Sequence, residues 1–100
     1  MREYPVKRKL WKELSVENVA KTMKEIFGNA EINGDTVISS YGSLSKIVVK
    51  VGDKKIFVET ESKKDSSQEI MMDTIKKYNK FLYKVTGYTA KERKKLLMKG

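Results

Sequence analysis

A chain of 100 residues, 39% hydrophobic and 35% charged, has the length and make-up of a single globular domain with one modest core. It holds no cysteine and no histidine, which excludes disulfides, thiolate chemistry and ordinary zinc sites and removes the usual general base. Its formal net charge of +9 favours anionic partners.

No apolar run approaches the roughly 20 residues that span a bilayer. The segment from Met1 to Leu10 alternates charge with apolar residues and lacks the core of a signal peptide. The expectation is a cytosolic protein with no membrane partner. The Lys- and Glu-rich, Cys-free balance points weakly to a thermophilic source.

Residues 3–8 read as an extended edge segment, where Pro5 is tolerated. A helix follows. Val16, Val19, Ala20, Met23, Ile26 and Phe27 recur at helical spacing, Ser15 suits the N-cap, Leu14 and Val19 a hydrophobic staple, and Gly28 the C-terminal stop.

The period then changes to two. Asn33-Gly34, Gly42-Ser43 and Gly52-Asp53 are turn signals that delimit strands near 29–32, 35–41, 44–51 and 54–60. With Gly52-Asp53 as a two-residue loop, Val49 faces Ile56, Ile47 faces Val58, Val48 faces Phe57 and Lys46 faces Glu59. With Gly42-Ser43 as another, Ile38 faces Ile47, Val37 faces Val48 and Tyr41 faces Leu44.

The polar segment 61–67 reads as a loop. Ser66 with Glu69 resembles a capping box that opens a long helix. Met71, Ile75, Tyr78, Leu82 and Val85, widened by Ile70 and Phe81, form its apolar stripe, and Gly87 ends it. Thr89 with Glu92 is a second capping box, before a short helix carrying Leu96, Leu97 and Met98. The predicted fold is an α+β two-layer sandwich in one domain, 1–100. An antiparallel meander sheet of four to five strands carries two amphipathic helices on one face, with a short C-terminal helix beyond them.

The predicted register places Thr36, Ile38, Ile47, Val49, Val51, Ile56 and Val58 under the helices. It leaves Val37, Tyr41, Leu44, Val48 and Phe57 on the second face, among Lys46, Lys50 and Lys55. Three fates fit such a face. The Trp11 segment or the terminal helix covers it, two copies dimerise through it, or Tyr41 and Phe57 stack on bases while the lysines meet phosphate.

The long helix also bears a lysine row, Lys76, Lys80 and Lys84 with Lys77 beside them, continued by Lys91, Arg93, Lys94 and Lys95. Residues 75–100 hold nine basic residues and one acidic, Glu92, so most of the net charge lies in the last quarter. That asymmetry suits phosphate contact, although a solvated helix face has the same pattern. With only three Arg in the chain, base-specific reading is not expected.

Glu59 and Glu61 point the same way on a strand, a spacing able to hold Mg²⁺ or share a proton, but the lysines nearby favour plain ion pairing. Ser39, Ser40, Ser43 and Ser45 cluster at a hairpin with no histidine to activate them. No phosphate-cradling glycine motif is present.

The opening Met1-Arg-Glu-Tyr-Pro-Val-Lys-Arg8 and the closing run from Thr86 to Leu97 resemble a family of small basic archaeal proteins. The resemblance covers nearly the whole chain. It implies a cytosolic protein whose fold is similar to half of a TATA-binding protein, and it carries over no catalytic residue.

The reading that follows is a non-enzymatic, largely sequence-independent nucleic-acid-binding protein with no cofactor and no metal. Its site would be Lys76, Lys77, Lys80, Lys84, Lys91, Arg93, Lys94 and Lys95. The alternative is a homodimeric interaction module built on Val37, Tyr41, Leu44, Val48 and Phe57.

Overall fold

The computed structural model describes residues 2–98, with side chains through Leu96. Five antiparallel strands form one sheet: β1 (Arg2–Pro5), β2 (Glu31–Asn33), β3 (Thr36–Tyr41), β4 (Leu44–Val51) and β5 (Lys55–Ser62), in the spatial order β1-β5-β4-β3-β2. Helix α1 (Val16–Phe27) connects β1 to β2, α2 (Gln68–Thr86) follows β5, and α3 (Ala90–Met98) closes the chain. The predicted α+β meander with helices on one face is what forms. Leu97 and Met98, counted in sequence among the apolar residues of α3, have side chains outside the described ones.

The helices begin and end where local chemistry directs. Ser15 accepts a hydrogen bond from the Asn18 amide at 3.2 Å, and Gly28 turns left-handed (φ 86°) with its N–H on the Lys24 carbonyl. The cap of α2 is Ser67, one residue later than predicted, accepting from the Ile70 amide, so the Ser66–Glu69 box does not form. The Thr89–Glu92 box does: the Thr89 amide donates to Glu92 Oε1 at 3.0 Å and the Glu92 amide to Thr89 Oγ1 at 3.2 Å. The Thr89 amide bond is the main cause holding the Glu92 carboxyl below its ordinary pKa.

After β1 the chain does not stay extended. It enters a 3-10 helix, Arg8–Glu13, that sequence periodicity does not reveal. Val6 donates to the Lys54 carbonyl and Lys7 to that of Thr86, which ties this segment to the β4–β5 hairpin and to the end of α2. The Trp11 indole donates to the Val6 carbonyl at 2.7 Å, and the Lys54 ammonium lies 4.8 Å from the ring centre.

The hairpins differ from the predicted registers in two instructive ways. The β4–β5 loop is Asp53-Lys54, with Lys54 taking the left-handed conformation (φ 62°) and Gly52 donating to the Lys55 carbonyl. Val49 therefore faces Val58 and Lys46 faces Glu61, a slip of two residues that leaves the side chains of 46–51 and 55–61 on their predicted faces.

The β3–β4 loop is Gly42-Ser43 and Tyr41 faces Leu44, as expected, but β4 then carries one extra residue at Ser45 against both neighbours. This bulge shifts the pairing by one, so Ser39 faces Ile47 and Val37 faces Val49. An odd shift exchanges faces. Val37 lies in the core, fully enclosed, whereas Thr36 and Ile38 turn to the opposite side.

The core lies between the sheet and α1 with α2. Val37, Ile47, Val49, Ile56 and Val58 meet Val19, Met23, Ile26 and Phe27 of α1 and Phe81, Leu82 and Val85 of α2. Phe27 links the layers, 5.6 Å from Phe81 and 5.7 Å from Tyr41 between ring centres, both pairs tilted. The predicted apolar stripe of α2 is buried only in its C-terminal half. Ile70, Met71, Met72 and Ile75 are each about half exposed. The N-terminal half is held to the β3–β4 hairpin by polar contacts instead. Thr74 Oγ1 accepts from the Ser43 amide, and the Tyr41 hydroxyl donates to Asp73, which raises the Tyr41 pKa.

Candidate nucleic-acid interface

The lysine row follows from the geometry of α2. Phe81, Leu82 and Val85 direct one side of the helix onto the sheet, so residues spaced by four on the other side, Lys76, Lys80 and Lys84, stand in solvent. Lys77 is half-buried beside them, and Lys91, Lys94 and Lys95 of α3 are exposed. None of these seven enters an ion pair among the described residues, where the pairs are Lys7–Glu92, Lys50–Asp35 and Lys55–Glu3.

Arg93 is a correction. Counted in sequence with the phosphate-binding set, it is 6% exposed. Its guanidinium donates to the Tyr88 carbonyl at 2.8 Å and to Asn79 Oδ1 at 2.9 Å, and it lies 5.9 Å from the centre of the Tyr4 ring. The i,i+1 placement among lysines turned Arg93 inward while Lys91, Lys94 and Lys95 point out, as a helix with a single inward stripe requires. Arg93 docks α3 beside α2 and β1. Burial lowers its pKa from the ordinary value, while Tyr4 and Tyr78 work in the opposite sense. Burial is also the main cause raising the pKa of Tyr78, with its hydrogen bond to Tyr4 second. Replacing Arg93 with Met is expected to cost about 1–3 kcal/mol in chemical denaturation, through loss of its charge-assisted hydrogen bonds.

Three of the five residues expected at a sheet-face interface are likewise not there. Val37 is in the core, and Tyr41 and Leu44 pack against it. Ser45 is the reason: its extra residue turns Val37 and Tyr41 under the helices. Val48 and Phe57 remain on the open face, both half-buried, and Ile38 joins them. The covering segments expected from sequence lie elsewhere. Trp11 sits against Val6 and Lys54, and α3 sits against α2.

The open face is mixed in charge. Lys46, Lys50 and Lys55 stand among Glu3, Glu31, Glu59 and Glu61, by the pairings that put them on one side. Glu59 and Glu61 do share this face, but Lys46 lies opposite Glu61 rather than Glu59. The excess positive charge thus belongs to the helical layer.

Two clefts open on the surface described. One of about 330 Å³ lies between the 3-10 helix, α1 and α2, lined by Glu13, Glu25, Lys21, Lys84, Asn18 and Thr22 among others. Its charges balance. The other, about 500 Å³, lies beside the Ser45 bulge and includes Ser39, Ser40, Ser45, Lys46 and Glu61. The predicted serine cluster is therefore partly assembled, but Ser39 is spent on Asn29, donating to its carbonyl and its side-chain oxygen. Asn29 was not anticipated. Its amide also donates to the Ser40 carbonyl and its Oδ1 accepts from the Ser40 amide, tying the end of α1 to β3. Among the described residues no group of three or more acidic side chains could hold a metal, and no helix is long and apolar enough to cross a membrane.

No curated protein matches the chain. A solved structure does: the NMR solution structure of hypothetical protein TA0095 from Thermoplasma acidophilum is similar over 100% of both chains, with a TM-score of 0.73 and 34% sequence identity. The helical and sheet layers described above are therefore shared with a protein of this archaeon. A family model described as Domain of unknown function (DUF5611) matches residues 1–99, and the chain belongs to that family.

Proposed function

We propose that this chain is a non-enzymatic, cytosolic protein that binds nucleic acid largely without regard to sequence. The contacts are Lys76, Lys77, Lys80 and Lys84 of α2 with Lys91, Lys94 and Lys95 of α3. One observation carries the reading: these lysines of α2 and α3 enter no ion pair among the described residues, whereas the open sheet face balances its lysines with glutamates. Lysine ammonium groups are point charges that meet phosphate without reading base edges, so affinity is backbone-led. The sheet backed by helices suits the resemblance to half of a TATA-binding protein. The binding surface proposed here is nevertheless the helical side, because the sheet carries too many carboxylates to attract a polyanion.

The test is a titration of fluorescent single- and double-stranded nucleic acid at several salt concentrations. Affinity should fall linearly in log salt. The triple variant Lys76/Lys80/Lys84→Glu should reduce the duplex slope by about 3 and weaken binding at least tenfold. Phe57→Ala should leave both unchanged. Absence of binding by the native protein at about 50 mM salt overturns the proposal.

A further inference from the structure

The open sheet face has a charge pattern that fits itself. β4 presents Lys46 and Lys50; the adjoining part of β5 presents Glu59 and Glu61; Ile38, Val48 and Phe57 lie across the middle. Lys46 and Glu61 are direct cross-strand neighbours, yet neither enters an ion pair among the described residues, and Glu31 and Glu59 do not either. Two lysines of the face have local partners: Lys55 lies 3.0 Å from Glu3, with its ammonium 5.6 Å from the Phe57 ring centre, and Lys50 lies 4.0 Å from Asp35, a longer contact that a partner's carboxylate can replace.

We infer that this face binds a second copy of the same chain, sheet against sheet. Consider a two-fold axis that runs along the strands between β4 and β5. It lays each β4 over the partner's β5. Lys46 then meets the partner's Glu61, and Lys50 meets the partner's Phe57 and Glu59, with each contact made twice. Val48 and Phe57 flank the axis, level with the partner's Glu59 and Lys50, whose apolar stems cover them at the roughly 10 Å separation of aligned sheets.

A nucleic acid does not fit this face, since four glutamates oppose three lysines there. A second copy does, because basic β4 and acidic β5 exchange places across the axis. Across this axis β1, β5, β4 and β3 overlap the partner's sheet and β2 overhangs. Four strands about 4.8 Å apart and roughly 20 Å long bury about 400 Å² per copy, below the standard size of a stable interface and in the range of weak, transient ones. The dimer is therefore a weak one that dissociates on dilution. It leaves the lysine rows of both copies facing outward.

Sedimentation velocity of the native protein at low salt, from about 10 µM to 1 mM, should show mass rising from monomer toward dimer, as weak association requires. Lys46→Glu/Lys50→Glu makes β4 and the adjoining part of β5 both acidic, and Glu59→Lys/Glu61→Lys makes both basic. Each variant alone should remain monomeric. An equal mixture of the two should recover a dimer, which a misfolded variant could not do. A native monomer mass across the whole range overturns the inference. So does dimerisation that survives both double variants, since the contact would then lie elsewhere.

Discussion

Gly42→Ala should destabilise the protein by about 2–4 kcal/mol and lower its melting temperature by roughly 10–25 °C, although it adds one methyl group. Two causes combine. Gly42 opens the β3–β4 turn with φ 53°, a conformation that costs an L side chain about 1 kcal/mol or more. A Cβ there would also lie 2.0 Å from Thr74 Oγ1 and 3.3 Å from Thr74 Cβ. Thr74 is buried in α2, where its hydroxyl donates to the Ile70 carbonyl and accepts from the Ser43 amide. Moving the hydroxyl breaks both bonds and frees the hairpin from α2.

Gly34→Ala is the control. Its φ is 65°, but a Cβ there meets nothing within 4 Å, so only the backbone term remains. Thermal unfolding of the two variants separates clash from strain. Equal losses would mean that Thr74 gives way without cost. In the double variant Gly42→Ala/Thr74→Ala the two losses should be less than additive, because the clash disappears with the hydroxyl.

Phe81→Ala is expected to cost about 3–5 kcal/mol, a large part of the total stability of a domain this size. Phe81 is completely enclosed between α1, α2 and the sheet, and it is tilted against Phe27, which in turn touches Tyr41. Its removal leaves a cavity at the α2 end of this aromatic chain, beside Phe27 of α1, and loosens the packing of the two helices. Tyr83, two residues along the same helix, is half exposed, and Tyr83→Ala should change stability by less than about 0.5 kcal/mol. Urea denaturation of both variants measures the contrast. A loss below about 1.5 kcal/mol at Phe81 would show that the helical layer repacks around the void.

Local patterns set the α-helices, the strands and most of their ends, but not the 3-10 helix Arg8–Glu13. Apolar spacing in α1, serine and glycine at its termini, and the Thr89–Glu92 box act within a few residues of chain, and all are found. The sequence by itself also determined the exposed lysine row, because the residues opposite an apolar stripe have nowhere to go but solvent. The order of β2 to β5 follows from turn signals of the same short range, whereas the place of β1 beside β5 does not.

Contacts between the layers settled which face β3 and the start of β4 present and which polar residues are used up. The bulge at Ser45 has no local signature beyond a serine in a strand, yet it moved Val37 and Tyr41 from the predicted open face into the helical layer. The direction of Arg93 depended on Asn79, fourteen residues back, and on Tyr4 at the far end of the chain. Half of the α2 stripe stayed exposed because a threonine and a tyrosine, rather than apolar contacts, hold that end of the helix to the sheet. Local patterns choose a secondary structure through a few backbone dihedrals. An odd residue in a ladder or a buried guanidinium is settled by contacts between segments far apart in sequence, and these form only when the layers close.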